Sequence, residues 1–253
     1  MKTTLIAAAL CGLFATQASA IELHFGTDGS VVSTNGEATS AAELNVGLSH
    51  GFGGVTALSG VTYDVVANDV SGFYVGANIG DHTTVTYGDQ DGAFSFTGGL
   101  NKISGNVLAA PAQPDRSVLV TGLSYSASLG FNDGEVENVQ AVYNIPTFNG
   151  ITTDVGVDYN TVTDETTFGI AADTKINNVA LGAIVTYADD YAVELNAGYD
   201  NARAFTTFNA DGLDVAGVGY DYTVSKNASM YVEAGYDFNT EETSAAVGMS
   251  LSF

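Results

Sequence analysis

Residues 191–200 read Tyr-Ala-Val-Glu-Leu-Asn-Ala-Gly-Tyr-Asp. The odd-numbered positions of this stretch are Tyr, Val, Leu, Ala and Tyr, whereas the even-numbered positions are Ala, Glu, Asn, Gly and Asp. This alternation has the two-residue period of a β-strand with one apolar and one polar face. The stretches that begin at Ile151 and Met230 repeat the pattern, so the chain is predicted to be all-β.

Aromatic side chains often end the apolar face of these stretches, as Tyr191 and Tyr199 do. In a membrane barrel such residues form girdles at the depth of the lipid headgroups. The polar face carries small and acidic residues, which suit a wet lumen better than the outside of a soluble sandwich, where more Lys and Pro are expected at the edges. After residue 20, no stretch approaches the ~20 apolar residues of a transmembrane helix. The pattern therefore predicts a transmembrane antiparallel β-barrel, closed so that every backbone group is paired.

The first twenty residues have the features of a secretory signal peptide. Lys2 supplies a positive start, residues 3–15 are mostly apolar, and residues 18–20 read Ala-Ser-Ala, an A-x-A cleavage pattern. We therefore expect a signal peptide over 1–20 and a single outer-membrane barrel domain over 21–253. The expected location is the outer membrane of a Gram-negative bacterium.

Sixteen candidate strands can be placed on the alternation, and fourteen is the alternative. The segment 117–132 also fits one long strand, but a turn near 124–126 keeps the even strand number of bacterial barrels. Long connections are expected near 29–40 and 89–116. The candidate strands are 21–28, 41–50, 54–66, 72–79, 82–88, 117–124, 125–132, 137–145, 150–161, 166–175, 178–188, 191–200, 202–209, 213–224, 228–238 and 243–253.

The chain is strongly acidic, with 29 Asp and Glu against 6 Lys and Arg. This balance argues against a nucleic-acid partner. Acidic residues that line a channel favour the passage of cations. An acidic surface also serves solubility. The alternative to a channel is therefore an acidic exported β-rich surface or calcium-binding protein, although the acidic pairs at 189–190 and 241–242 lack the spacing of a calcium loop.

Two stretches of the sequence carry a family resemblance. Residues 71–80 read Ser-Gly-Phe-Tyr-Val-Gly-Ala-Asn-Ile-Gly, and residues 85–94 read Val-Thr-Tyr-Gly-Asp-Gln-Asp-Gly-Ala-Phe. They resemble the general Gram-negative porins of alphaproteobacteria, which have a strand, a glycine turn, a second strand ending in Gly-Asp and then a long third loop. Residues 116–120 resemble the return strand of those porins.

The resemblance implies a water-filled homotrimeric barrel whose long third loop folds inward and narrows the pore. It implies that the constriction is formed by the charged residues of this loop and the wall that faces it, namely Asp89, Asp91, Lys102, Asp115 and Arg116. The apolar face of the last strand ends at Phe253, preceded by Leu251 and Met249, and this pattern resembles the assembly signal that is read by the barrel-assembly machinery.

The predicted function is passive diffusion of small hydrophilic solutes and ions, with a preference for cations. The expected partners are outer-membrane lipid, small hydrophilic solutes and cations, the assembly machinery and two further copies of the chain. Arg116 and Arg203 are the candidate inward basic residues. The acids predicted to face the lumen outnumber them and are Glu22, Glu43, Asp64, Asp154, Asp158, Glu194, Asp221, Glu233 and Asp237.

Catalysis is not expected from this sequence. The histidines His24, His50 and His82 are far apart and do not have the spacing of a metal site. Ser49 precedes His50, but no nucleophile-elbow motif surrounds the pair. We therefore predict no enzymatic activity, no cofactor and no bound metal.

Overall fold

The computed structural model describes residues 21–34, 37–90, 92–94 and 114–252, and the predicted signal peptide lies outside these ranges. Within them the chain forms sixteen strands. No helix in the described ranges is long and apolar enough to cross a bilayer. The strands are β1 (Ile21–Thr34), β2 (Glu37–Phe52), β3 (Val55–Asp64), β4 (Asp69–Ile79), β5 (Thr83–Gly88), β6 (Arg116–Thr121), β7 (Tyr125–Asn132), β8 (Glu135–Phe148), β9 (Ile151–Asn160), β10 (Glu165–Ile176), β11 (Val179–Tyr187), β12 (Tyr191–Tyr199), β13 (Ala202–Asn209), β14 (Gly212–Ser225), β15 (Ala228–Asp237) and β16 (Glu242–Ser252).

The strands form one closed antiparallel barrel in which each strand pairs with its neighbours in the sequence. The first and last strands close it, with Gly26 of β1 opposite Ser252 of β16 and Thr34 opposite Ser244. Every strand is therefore hydrogen-bonded on both sides, and the sheet has no free edge. This closure confirms the predicted all-β barrel.

The outer face of the barrel is apolar and the inner face is polar. In β12 the outward side chain of Leu195 is 46% exposed, and the aromatic rings of Tyr191 and Tyr199 lie at the two ends of the strand. The inward side chain of Glu194 is only 2% exposed. A belt of exposed apolar side chains between aromatic ends matches the hydrocarbon region of a bilayer and the headgroup zones on either side of it.

The predicted strand number of sixteen is confirmed, and the alternative of fourteen is wrong. The turn predicted within 117–132 is present: β6 ends at Thr121, β7 begins at Tyr125, and the Gly122 N–H donates to the Tyr125 carbonyl over 2.7 Å. The long connection predicted near 29–40 is wrong, because β1 continues to Thr34 and β2 begins at Glu37. The alternation does not stop at residue 28 but runs on through both strands, which pair along their whole length.

The two ends of the barrel differ in the length of their connections. At one end, called here the turn end, neighbouring strands are joined by two or three residues, as at 53–54, 149–150 and 226–227. Asn149 and Gly150 have φ values of 52° and 79°, as a two-residue type I′ hairpin turn requires. The opposite end, called here the loop end, carries the long connection 89–115. Short turns face the periplasm and longer loops face outward in barrels of this type.

A charge on the outer face should destabilise the barrel more than the same charge on the inner face. We expect Leu195→Lys to lower the free energy of unfolding by about 2–4 kcal/mol, because the charge would enter the apolar belt near its middle. Asn196→Lys, on the inward face of the same strand, should cost much less, since its neighbours Glu194 and Asp173 are acidic. Urea unfolding from lipid vesicles measures both variants, and equal losses would contradict the assignment of the faces.

Candidate functional site

The nine predicted lumen acids all lie on the inner face of the barrel by strand register. Glu22 is opposite Ser49, Glu43 is opposite Asp64, and Asp158 is opposite Gln140. Two further inward acids, Asp28 and Asp173, were not singled out from the sequence, although the alternation of β1 and β10 already places them on the polar face. The nine positions are Glu22, Glu43, Asp64, Asp154, Asp158, Glu194, Asp221, Glu233 and Asp237. Their role in conduction stays a prediction.

The inner wall formed by β1 to β3 is open to water. Glu22, His24 and Asp28 of β1 are exposed. Above them a polar chain crosses three strands: the Thr62 hydroxyl donates to Asn45 Oδ1 over 2.7 Å, and Asn45 Nδ2 donates to Asp28 Oδ2 over 3.4 Å. This wall presents ionised groups and hydrogen-bonding side chains to anything inside the barrel.

The opposite wall is covered rather than open. Polar side chains on the inner faces of β7 to β13 are buried, although a barrel of sixteen strands is wide enough to hold water. Hydrogen bonds satisfy several of them; for example, Asn138 Nδ2 donates to Asp158 Oδ1 over 3.3 Å. The buried inward polar residues of this wall are Ser128, Asn138, Gln140, Asp158, Thr167, Thr186, Glu194, Arg203 and Thr207.

Residues 92–94, which follow β5, supply part of this cover. The Ala93 N–H donates to Ser128 Oγ over 2.7 Å, and the Phe94 N–H donates to Gln140 Oε1 over 3.0 Å. Pro114, at the other end of the connection, packs against Gly130 on the inner face of β7. Both described ends of the long connection therefore lie against the inner wall. Asp91 and Lys102 of the predicted constriction lie outside the described residues.

Arg203 on β13 is an inward cation held in an acidic cage. Its Nε lies 3.1 Å from Asp221 Oδ2, its Nη1 bonds to Glu233 Oε2, and its Cζ lies 5.9 Å from the ring centre of Tyr231. Gly219 makes the close approach possible, because a Cβ at this position would lie 2.7 Å from Cζ of the guanidinium. The arginine is thus flattened on the wall and neutralised by two carboxylates, which leaves the lumen with an excess of negative charge.

Arg116 does not face the lumen, contrary to the expectation from the sequence. It pairs with Phe131 at the start of β6, on the outward face, and its Cζ lies 5.4 Å from the ring centre of Phe73. Its Nε bonds to Asp89 Oδ1 over 3.2 Å at the loop end. Asp115 lines the same groove. The register explains the difference: Ser117, one residue later, takes the inward position and bonds to the Gln90 carbonyl over 3.1 Å.

The histidines do not form a catalytic or metal site with the groups around them. His24 Nε2 lies 3.4 Å from Ser49 Oγ on the inner wall. Ser49 and His50 are on opposite faces of β2, so the adjacent pair in the sequence cannot act together. In the described ranges, no three His, Cys, Asp or Glu residues come together as a possible metal site.

The ion pair between Arg203 and Glu233 should be important for stability, because both side chains are almost fully buried. We expect Arg203→Met to lower the free energy of unfolding by about 3–5 kcal/mol, since it leaves a buried carboxylate without its cation. The double variant Arg203→Met/Glu233→Gln should recover most of this loss. Urea unfolding of the three proteins measures the difference, and a double variant no more stable than the single one would contradict this account.

Comparison with known proteins gives a match in structure only. No protein-family model matches the sequence, and a search of curated proteins finds no match. A mutant of the porin of Rhodopseudomonas blastica is similar with a TM-score of 0.70 and 14% identity, over 92% of this chain and 100% of that one. A loop-deletion mutant of OmpT, an outer membrane protein of Vibrio cholerae, is similar with a TM-score of 0.69 and 15% identity, over 94% of this chain and 100% of that one. The chain therefore has the sixteen-stranded fold of these outer-membrane porins.

Proposed function

We propose that this chain is an outer-membrane porin that lets small hydrophilic solutes and ions diffuse passively through a water-filled barrel. One observation carries the proposal: a closed sixteen-stranded barrel has an apolar outer face and an acidic inner face. A barrel of this strand number leaves an aqueous channel rather than a filled core. The likeness to the porins of R. blastica and V. cholerae supports the same function.

The outer face argues against the alternative of a surface or calcium-binding protein without a channel. Leu195, Val232 and Val247 are about half exposed, and such side chains surround the barrel. A contiguous apolar belt of this kind would make a soluble protein aggregate, whereas lipid covers it at no cost. Outer-membrane lipid is therefore the proposed partner of this face, and the outer membrane is the proposed location.

A cation preference follows from the charges on the inner wall. Eleven inward acids have been named above, whereas the inward basic side chains of the described residues are Arg203, which is neutralised by Asp221 and Glu233, and Lys175 at the turn end. Fixed negative charges raise the concentration of cations in the lumen and lower that of anions. Ionised solutes should therefore pass at rates that depend on their sign.

Four further features complete the proposal. Residues 1–20 are removed as a signal peptide, and the barrel domain is 21–253. The end of β16, with Met249 and Leu251 on the outward face, forms part of the signal that the assembly machinery reads. The long connection after β5 narrows the pore, and three copies assemble as a trimer. The described ends of this connection, which lie on the inner wall, support the third feature.

Planar lipid bilayers test the channel and its selectivity together. We expect the purified protein to insert as discrete conductance steps, with a reversal potential in a KCl gradient that indicates a preference for K⁺. Glu22→Gln/Asp28→Asn/Glu43→Gln, which removes three charges from the open wall, should move this potential toward zero. A matched control, Asp133→Asn/Asp164→Asn/Glu241→Gln, removes three charges from the loop-end connections and should have a smaller effect. Equal or anion-favouring permeability of the native protein would refute the cation preference.

Cell fractionation tests the location independently of conductance. The protein should stay with outer membranes after washes with high salt and carbonate, and it should change its gel mobility on heating, because closed membrane barrels resist detergent until they are boiled. A protein that is released by carbonate would contradict the membrane assignment.

A further inference from the structure

An apolar cluster lies inside the otherwise polar lumen. The ring of Phe94 is 1% exposed and packs against Ile184 of β11 and Ala192 of β12, with Val142 of β8 and Ala171 of β10 around them. These four wall residues occupy inward positions by register, where most other side chains of the barrel are polar. We call the four of them the Phe94 socket.

Polar contacts lead the chain from β5 to this socket. Gln90 is tied to Ser117 on β6, because the Ser117 hydroxyl donates to the Gln90 carbonyl. The next residues bond to Ser128 on β7 and to Gln140 on β8, whose side chains are themselves joined over 3.0 Å. The chain thus crosses the inner wall strand by strand before the ring of Phe94 enters the socket on β8 to β12.

Gly92 is required for this close approach. A Cβ at residue 92 would lie 1.9 Å from Gln140 Oε1 and 3.0 Å from Ser128 Oγ, so a larger residue would push the chain off the wall. The backbone contacts and the ring therefore act at the same place. The hydrogen bonds give the segment its register along the wall, and the apolar burial of the ring provides a favourable free energy that water-exposed polar contacts lack.

We propose that the Phe94 socket is a positioning site that holds the segment after β5 against the inner wall and so sets the open cross-section of the pore. The inference rests on the proposed porin function and adds the residues that fix its lumen. Phe94 acts as a positioning residue, since it does not face the solute path. The socket binds one aromatic or large aliphatic side chain of the same chain, because its walls are aliphatic and methyl groups of Ile184, Val142, Ala171 and Ala192 line it.

Conductance measurements test the positioning role. Removing a buried Phe side chain shifts an anchored segment toward release by roughly a hundredfold or more. We therefore expect Phe94→Ala to raise the single-channel conductance or to add a second, fluctuating level, and Ile184→Ala to act in the same direction. Phe94→Leu, which refills the socket, should restore a steady conductance near the native one. The matched control is Phe168→Ala on the lipid-facing side of β10, which should leave the conductance unchanged.

Fluorescence tests the socket without using channel activity. The chain contains no Trp, so Phe94→Trp introduces a single reporter. We expect its emission to be that of a buried indole, shielded from acrylamide in the water and from brominated lipid in the bilayer. Phe168→Trp should be shielded from acrylamide but quenched by brominated lipid. Adding Ile184→Ala to Phe94→Trp should expose the indole to acrylamide.

The outcomes separate the two proposals. If the native protein conducts no ions while Phe94→Trp is shielded, the porin function fails and the ring is still held in its socket. If assembled Phe94→Ala and Ile184→Ala both keep the native conductance and noise, the positioning role is overturned. If Phe94→Ala does not assemble, Ile184→Ala decides alone, because its change is confined to the wall. Free access of acrylamide to Phe94→Trp overturns the socket itself.

Discussion

Hydrogen bonding between β1 and β16 is the constraint on which the rest of the molecule depends. A sheet that enters hydrocarbon cannot leave a row of backbone N–H and C=O groups unpaired, because each would cost several kcal/mol. The pairing from Gly26–Ser252 to Thr34–Ser244 removes both edges at once. Once the sheet is closed, every strand has one face toward lipid and one toward an enclosed space, so the two-residue period of the sequence acquires a meaning for function.

The inner face is polar because a wide barrel cannot be filled by wall side chains alone. Its acids then interact with water, with one another and with the few cations within reach. Arg203 shows what such a cation does when it is present: Asp221 and Glu233 hold it against the wall above Gly219. A buried pair of this kind adds little net charge to the path, whereas the open wall of Glu22 and Asp28 keeps its charge in contact with water. The same residue types therefore have structural or electrostatic roles according to their exposure.

Much of this architecture could be predicted from the alternation, and its failures have physical causes. The strand number, the two faces and the inward acids follow from a period that repeats in every strand. The hairpin of β1 and β2 was missed because Gly29 and Ser30 read as loop residues, although the wall continues through them. Arg116 was placed on the wrong face because a shift of one residue reverses a strand, and the first residue after a long loop has no earlier neighbour to set its phase.

Phe94 was not predicted because its signal is not periodic. It lies in a connection, and its partners Ile184, Ala192, Val142 and Ala171 come from four strands that are far apart in the sequence. Each of these wall residues, read alone, is only an apolar exception on a polar face. Such exceptions cost little where water is excluded but are unfavourable in an open channel, so several of them at adjoining positions require a cover. In a barrel with a polar lumen, inward apolar residues that adjoin across strands therefore indicate where a loop is held, and the ring that fills them can then be sought in the connections.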